Sequence, residues 1–347
     1  MVRLAVNPRG LSTTTLGPDK QGKCSLRIKG NKLEAFPRCS ESNFSDLRRN
    51  NSFAYFDRTR YVSVLDSIHA RAILFLRPRR FGKSLTLSML QHFHGIQHRD
   101  QYDELFLDLD IDKDVKGDKI TPGEYLILDF NFAEVNRTRD LNKAAEGLAV
   151  NIIWSLERFY RVLRKLVLIV DDALSEIKNR GDKKHPLANV KGIYLLADEY
   201  DAFSNEYMDP HNSQPWAESD ASSLVKDFWA TVKGMMRLPY GIQKCFITGI
   251  SPLSLADNTS GFNIAVNMSF KKEVAGICGL SRADVEGALE RICKSKADVE
   301  RHLDRLTRYA NGYHFCRYEK SEPVFNTDTS LEYLQQTPQT PKCRIGS

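Results

Sequence analysis

The stretch "ILFLRPRRFGKSLTLSML", residues 73–90, decides how the rest of the chain is read. An apolar run meets a basic turn with a proline, closes on Gly-Lys-Ser, and opens into a segment whose apolar residues fall at helical spacing. Strand, Gly-Lys-Ser loop and helix, in that order, are the context a phosphate-binding loop requires. Gly82 lacks a Cβ, so main-chain amides can close on a phosphate. Lys83 brings a point charge suited to the β/γ-phosphate oxygens, and the Ser84 hydroxyl is a hard oxygen ligand suited to Mg²⁺. A helix starting here aims unpaired N–H groups and its positive dipole end at the anion. The first position, where such a loop normally carries glycine, is Arg77. Pro78 can fix a turn there, and the three arginines Arg77, Arg79 and Arg80 add phosphate-seeking charge. Residues Arg77, Pro78, Arg79, Arg80, Phe81, Gly82, Lys83, Ser84 and Leu85 are therefore expected to form the nucleotide loop.

Gly-Lys-Ser alone is a common tripeptide; a matching acidic strand gives it weight. "GIYLLADEYD", residues 192–201, is a buried-strand pattern that ends in Asp198 and Glu199. Asp198 is placed to hold Mg²⁺ with Ser84, and Glu199 to orient or activate an attacking water. Acids at the carboxyl end of a strand lie where open α/β sheets bind ligands. Asp201 reads as a solvated strand-end acid, and Asp129, near the end of an earlier strand, as a loop-capping carboxylate. "QKCFITGIS", 243–251, reads as another strand whose exit offers a polar sensor of the γ-phosphate, Thr248 before Ser251. Arg79, Arg80, Arg282 and Arg317 are candidates for an arginine finger, with Arg282 and Arg317 favoured as plain surface cations. His92, His94 and His98 do not make a metal site, because Gly95 ends the helix between the last two. Trp154, Trp216 and Trp229 lack the basic interleaving of a base-stacking platform.

Outward from these motifs, residues 57–70 read as a helix entered through Asp57, 71–76 and 124–132 as strands, 140–179 and 222–237 as helices. Strands alternating with helices predict an α/β fold with a parallel sheet flanked by helices. The expected organisation is a leader over 1–45, poor in order; an α/β domain over 46–270; a helical lid subdomain over 271–320; and an irregular tail over 321–347.

The chain has 50 Lys+Arg and 44 Asp+Glu, a net charge of +6. The first fifty residues hold ten basic and four acidic side chains, so the excess belongs to the leader, which reads as a solvated arm able to touch nucleic-acid phosphate only weakly. No apolar run approaches the ~20 residues of a membrane helix, and no signal-peptide core is visible. Seven scattered cysteines form no CxxC pair, which favours a reducing, intracellular setting.

"FDRTRYVSVLDSIHARAILFLRPRRFGKSLTLSMLQHFH", 56–94, resembles the start of the AAA-ATPase-like family, whose signature is an Asp-(Lys/Arg)-Thr helix followed by "RPRRFGKS/T". The similarity continues through "LLADEYDAF", "FITGISPLSLADNTSGFN", "GICGLSRADV" and "NGYHFC", over roughly residues 53–320. In that family arginine is usual at the first loop position, so Arg77 is a family trait. The resemblance, more distant towards AAA+ and STAND-type ATPases, implies ATP with Mg²⁺ and a hydrolase. It makes Gly82, Lys83 and Ser84 phosphate and metal ligands, and Asp198 and Glu199 the Walker B pair. A nucleotide-gated switch with little turnover stands as the alternative, along with an unspecified protein partner or a neighbouring copy that supplies an arginine. Longer members carry a nuclease-like C-terminal domain, for which no room is expected after about residue 320.

Overall fold

A computed structural model describes residues 25–28, 35–37, 41–50, 53–134, 141–180, 190–202, 220–239, 241–251, 263–310, 312–316 and 322–337. Five parallel strands form the central sheet: β3 (Ala72–Leu76), β4 (Tyr125–Asn131), β5 (Gly192–Asp198), β6 (Ile242–Gly249) and β7 (Val266–Asn267). Their spatial order is β4-β5-β6-β3-β7. The parallel sheet flanked by helices is the α/β architecture expected from the alternating pattern. Its strands are short and almost continuously apolar, as parallel strands buried on both faces must be.

Side-chain alternation sorts the two faces. Ile73, Phe75, Ile127, Leu196 and Phe246 pack against α1 (Phe44–Arg49), α2 (Arg60–Ser67), α3 (Lys83–His94), α4 (Tyr102–Phe106) and α5 (Asp110–Lys116). Ala72, Leu74, Leu128, Leu195 and Ile247 face α6 (Leu141–Arg180) and α7 (Asp220–Met235), where Trp229 is buried.

A third core joins the two ends of the chain. β1 (Leu26–Ile28) pairs antiparallel with β2 (Ala54–Phe56). That ribbon packs with α8 (Arg282–Ile292), α9 (Lys296–Ala310) and α10 (Thr327–Gln336) around Phe56, Leu289, Leu303, Phe325 and Leu331. Three expectations change here. Part of the leader is structured, because Leu26–Ile28 find a partner strand. Part of the tail, expected to be irregular, is helical: the Asn326 side chain accepts from Thr329 N at 3.1 Å, and Leu331 and Leu334 are buried. Helix α2 also starts later than expected. Asp57 does not cap it as its first turn; its carboxylate accepts from Thr59 N (2.9 Å) and Thr59 Oγ1 (2.7 Å) in the turn before it.

Candidate functional site

Parallel pairing brings the carboxyl ends of β3, β6 and β5 side by side. Leu76 lies opposite Gly249, and Ala197 opposite Ile247. Since β6 sits between the other two, Thr248 stands between the Gly-Lys-Ser loop and the acid pair. The Asp198 carboxylate gathers all three segments. Ser84 Oγ donates to one of its oxygens at 2.5 Å, and Thr248 Oγ1 donates to the other at 2.5 Å. Glu199 N adds a bond to that second oxygen at 2.9 Å.

The loop itself is held from within. Gly82 is the N-cap of α3 at φ +92°, a left-handed conformation that favours glycine, and the space its Cβ would enter is open. It is thus the backbone twist that requires glycine, more than close approach. Lys83 Nζ donates to the Arg77 and Pro78 carbonyls, both at 3.1 Å, so the ammonium is folded under the loop arch. Arg80 at φ +65° and Glu199 at φ +47° are non-glycine residues in the left-handed region. Such positions cost about 1–3 kcal/mol each and concentrate at functional sites. Ser84 is exposed and Asp198 nearly buried.

Two loop residues expected to meet nucleotide do something else. The Arg77 guanidinium is buried, at 1% exposure. It donates to Leu76 O (2.8 Å) and Ser269 O (2.6 Å) and lies between the rings of Phe75 and Phe315, 4.2 and 3.9 Å from their centroids. Burial pulls its pKa down to about 10, and the two rings and the carbonyls are what keep a cation there. Phe81 is likewise buried, edge-on to Tyr313 and Phe315. Both side chains anchor the loop to the C-terminal part of the fold, and the arginine at the first loop position is a structural tie. Arg79 is exposed, and Arg80 pairs with Asp328 at 2.7 Å.

A cleft of about 560 Å³ opens over Gly82, Lys83, Ser84 and Leu85, with Glu199 on one side. Its opposite wall was not read from sequence: Pro37 and Leu47 from the N-terminal segment, and Leu331 and Gln335 from α10. The one available signal was Asn326, a good N-cap residue ahead of Leu331 and Leu334. The family's Asp-Arg-Thr signature is also structural here. Arg58 donates to Asp284 (2.7 Å) and to Gly279 O (2.9 Å), while Gly279 N bonds Phe81 O at 3.2 Å, so the signature arginine braces the loop.

The remaining candidates fall away from the cleft or are recast. Asp201 is fully buried, correcting its reading as a solvated acid: it accepts from Ile250 N (2.9 Å) and Ser251 N (2.6 Å) and shapes the exit of β6. Asp129 pairs with Arg158 of α6 at 3.2 Å. Arg282 is exposed at the start of α8, while Arg317 and Trp216 lie outside the described residues. The His92 and His98 rings meet in a tilted pair with centroids 4.3 Å apart, and burial pulls the pKa of His94 down to about 3 and that of His98 to about 4, leaving those two rings neutral. Among the described residues no group of His, Cys, Asp and Glu could hold a metal as a cluster, and no helix is long and apolar enough to cross a membrane.

The donors meeting at Asp198 are hard oxygens from a hydroxyl and a carboxylate, the chemistry that suits Mg²⁺ bound together with substrate phosphates. No curated protein matches the chain. A family model described as predicted AAA-ATPase, however, matches residues 39–259, from just ahead of α1 past the strand that carries Thr248. That match covers more than half of the sequence, and the chain belongs to the AAA-ATPase-like family.

Proposed function

We propose that the cleft binds ATP with Mg²⁺ and hydrolyses it. The observation that carries this reading is the meeting of Ser84, Thr248 and Glu199 N on one carboxylate, Asp198, beside a lysine folded under a Gly-Lys-Ser loop. Ser84 and Asp198 would hold the metal, which when bound would offset charge on the β- and γ-phosphate oxygens. Lys83 exchanges its two carbonyl partners for phosphate oxygens, a short movement because the arch already points it at the loop. The α3 N-terminus supplies main-chain N–H groups to the anion. Glu199 orients the water, and its left-handed backbone fixes where its carboxylate leaves the strand. Thr248 senses the γ-phosphate through Asp198. Arg80, which lines the cleft, serves as a finger once it leaves Asp328.

A nucleotide-gated switch is the second reading. The loop is bonded to α10 at three points, Thr327 Oγ1 to Phe81 O (3.1 Å), Asp328 N to Arg80 O (3.3 Å) and Arg80 to Asp328, which favours coupling between the loop and the C-terminal helices. Calorimetry with MgATP and phosphate release on the same sample separate the two. An ATPase loses binding in Lys83→Ala and keeps binding but loses turnover in Glu199→Gln; a switch binds without turnover in every form. Absence of binding in the wild type refutes both.

A further inference from the structure

Five of the twelve large apolar side chains that are exposed among the described residues sit on one helix, α6: Val150, Ile153, Trp154, Leu156 and Tyr160. Trp154 is 68% exposed and Tyr160 64%. The inner face of the same helix, through Leu148, Asn151 and Ser155, is buried on the sheet. At 100° per residue, Val150, Ile153, Trp154, Glu157, Tyr160, Arg161 and Arg164 form a stripe pointing directly away from that core. A shallow depression runs between Ile153, Glu157, Tyr160 and Arg161. Isolated exposed apolar residues are ordinary, but a contiguous stripe with a tryptophan at its centre marks a contact surface.

The charges on the stripe indicate the occupant. Its first half carries apolar residues and Glu157; its second half carries Tyr160, Arg161 and Arg164. Parallel pairing with an identical helix would set Arg161 against Arg161 and Arg164 against Arg164. Antiparallel pairing sets unlike halves together. With Glu157 facing Arg161 of a second copy, Trp154 falls opposite Arg164, whose guanidinium can lie over its ring. Each of these contacts occurs twice, as an isologous two-fold interface demands. We infer that α6 is a homodimer surface, packed antiparallel on α6 of a second copy of this chain.

The size is adequate. At about 150–250 Å² per aromatic side chain, the exposed parts of Trp154 and Tyr160 on two copies bring about 400–650 Å². The remaining aliphatic side chains and arginine stems extend this towards the about 1,000 Å² of a specific contact. The Glu157–Arg161 pair within one helix, at 3.6 Å, is mostly exposed and weak, so both groups are available for exchange across the interface.

Sedimentation of the full chain over about 0.1–100 µM tests this, a span that brackets a micromolar dimer. Wild type is expected to dimerise and Trp154→Glu to remain monomeric. Glu157→Arg or Arg161→Glu alone should weaken the dimer at least about tenfold, the effect of like charges meeting twice across an interface. The combined Glu157→Arg and Arg161→Glu chain should return to within about threefold of wild type, because the pairs are rebuilt with reversed sense. A monomeric wild type, single reversals without effect, or a combined variant as weak as the singles would overturn the proposal. So would a monomer that binds phosphatidylserine vesicles through Trp154, which assigns the stripe to a lipid surface.

Discussion

Removing either member of the Arg58–Asp284 pair should cost several kcal/mol, and removing both should cost less than the sum. The Asp284 side chain is 2% exposed and accepts from Arg58, Ser25 N, Ser25 Oγ, Ser281 N and Ser281 Oγ at 2.7–2.9 Å. Burial alone would raise its pKa, but Arg58 and the serine bonds outweigh it and hold the carboxyl well below the usual range. Breaking a buried pair from one side leaves an uncompensated charge, at about 3–5 kcal/mol. With an unfolding entropy of about 2.1 cal/mol/K per residue, 347 residues convert this to a drop of about 4–7 °C in Tm for Arg58→Met or Asp284→Ala. The pair replaced together, Arg58→Met with Asp284→Leu, should lose less than either single variant predicts. The sign with pH follows from a depressed carboxyl pKa: the stabilisation is present above the unfolded value of about 4 and drains away as pH falls below it. Wild type should thus show a steeper loss of Tm below about pH 4 than Asp284→Asn. Thermal melts by circular dichroism at several pH values provide the assay. Single variants within about 1 kcal/mol of wild type, or strictly additive losses, would refute the reasoning.

Arg77→Lys should destabilise the chain by about 2 kcal/mol in urea titrations, because an ammonium cannot reproduce a planar fork bonded to four backbone carbonyls between two rings. Gly249→Ala should cost about 1–3 kcal/mol, since its Cβ would meet Asp201 Oδ1 and Tyr200 Cε1 at 2.5 Å; native-state proteolysis should report loosening at the β6 exit. Thr248→Val, which keeps the shape and removes one hydrogen bond to a charged acceptor, should lower phosphate release about tenfold or more while calorimetric nucleotide affinity changes less.

The α/β frame was legible because its strands are buried on both faces, and "ILFL" and "YLLA" read as unbroken apolar runs beside turn and acid signals. The same logic drew attention to Asp198 and Thr248, which lie at the ends of β5 and β6, and to Ser84, in the first turn of the helix that follows β3. What lay beyond the sequence depends on distant partners. Nothing near Arg77 announces that Phe315 will cover it, so its charge read as a phosphate ligand. Asp201 read as solvated because its acceptors' donors, two amides, carry no side-chain signature. Leu26–Ile28 is too short a strand to stand out from a basic leader without its partner Ala54–Phe56. Helix α10 was missed because only two buried leucines mark its apolar face.

The bond between Arg80 and Asp328 spans 248 positions of sequence. Ribosomal synthesis at about 5–20 residues per second would separate the appearance of these two partners by roughly 12–50 seconds. During that interval the Gly-Lys-Ser segment exists without α10, without Gly279 to meet Phe81, and without Phe315 to cover Arg77. Loop closure over such separations is slow and comes late in folding. The nascent chain therefore carries its phosphate loop unbraced while the 248 positions up to Asp328 are made, and the cleft gains the α10 part of its far wall only once Leu331 and Gln335 have followed.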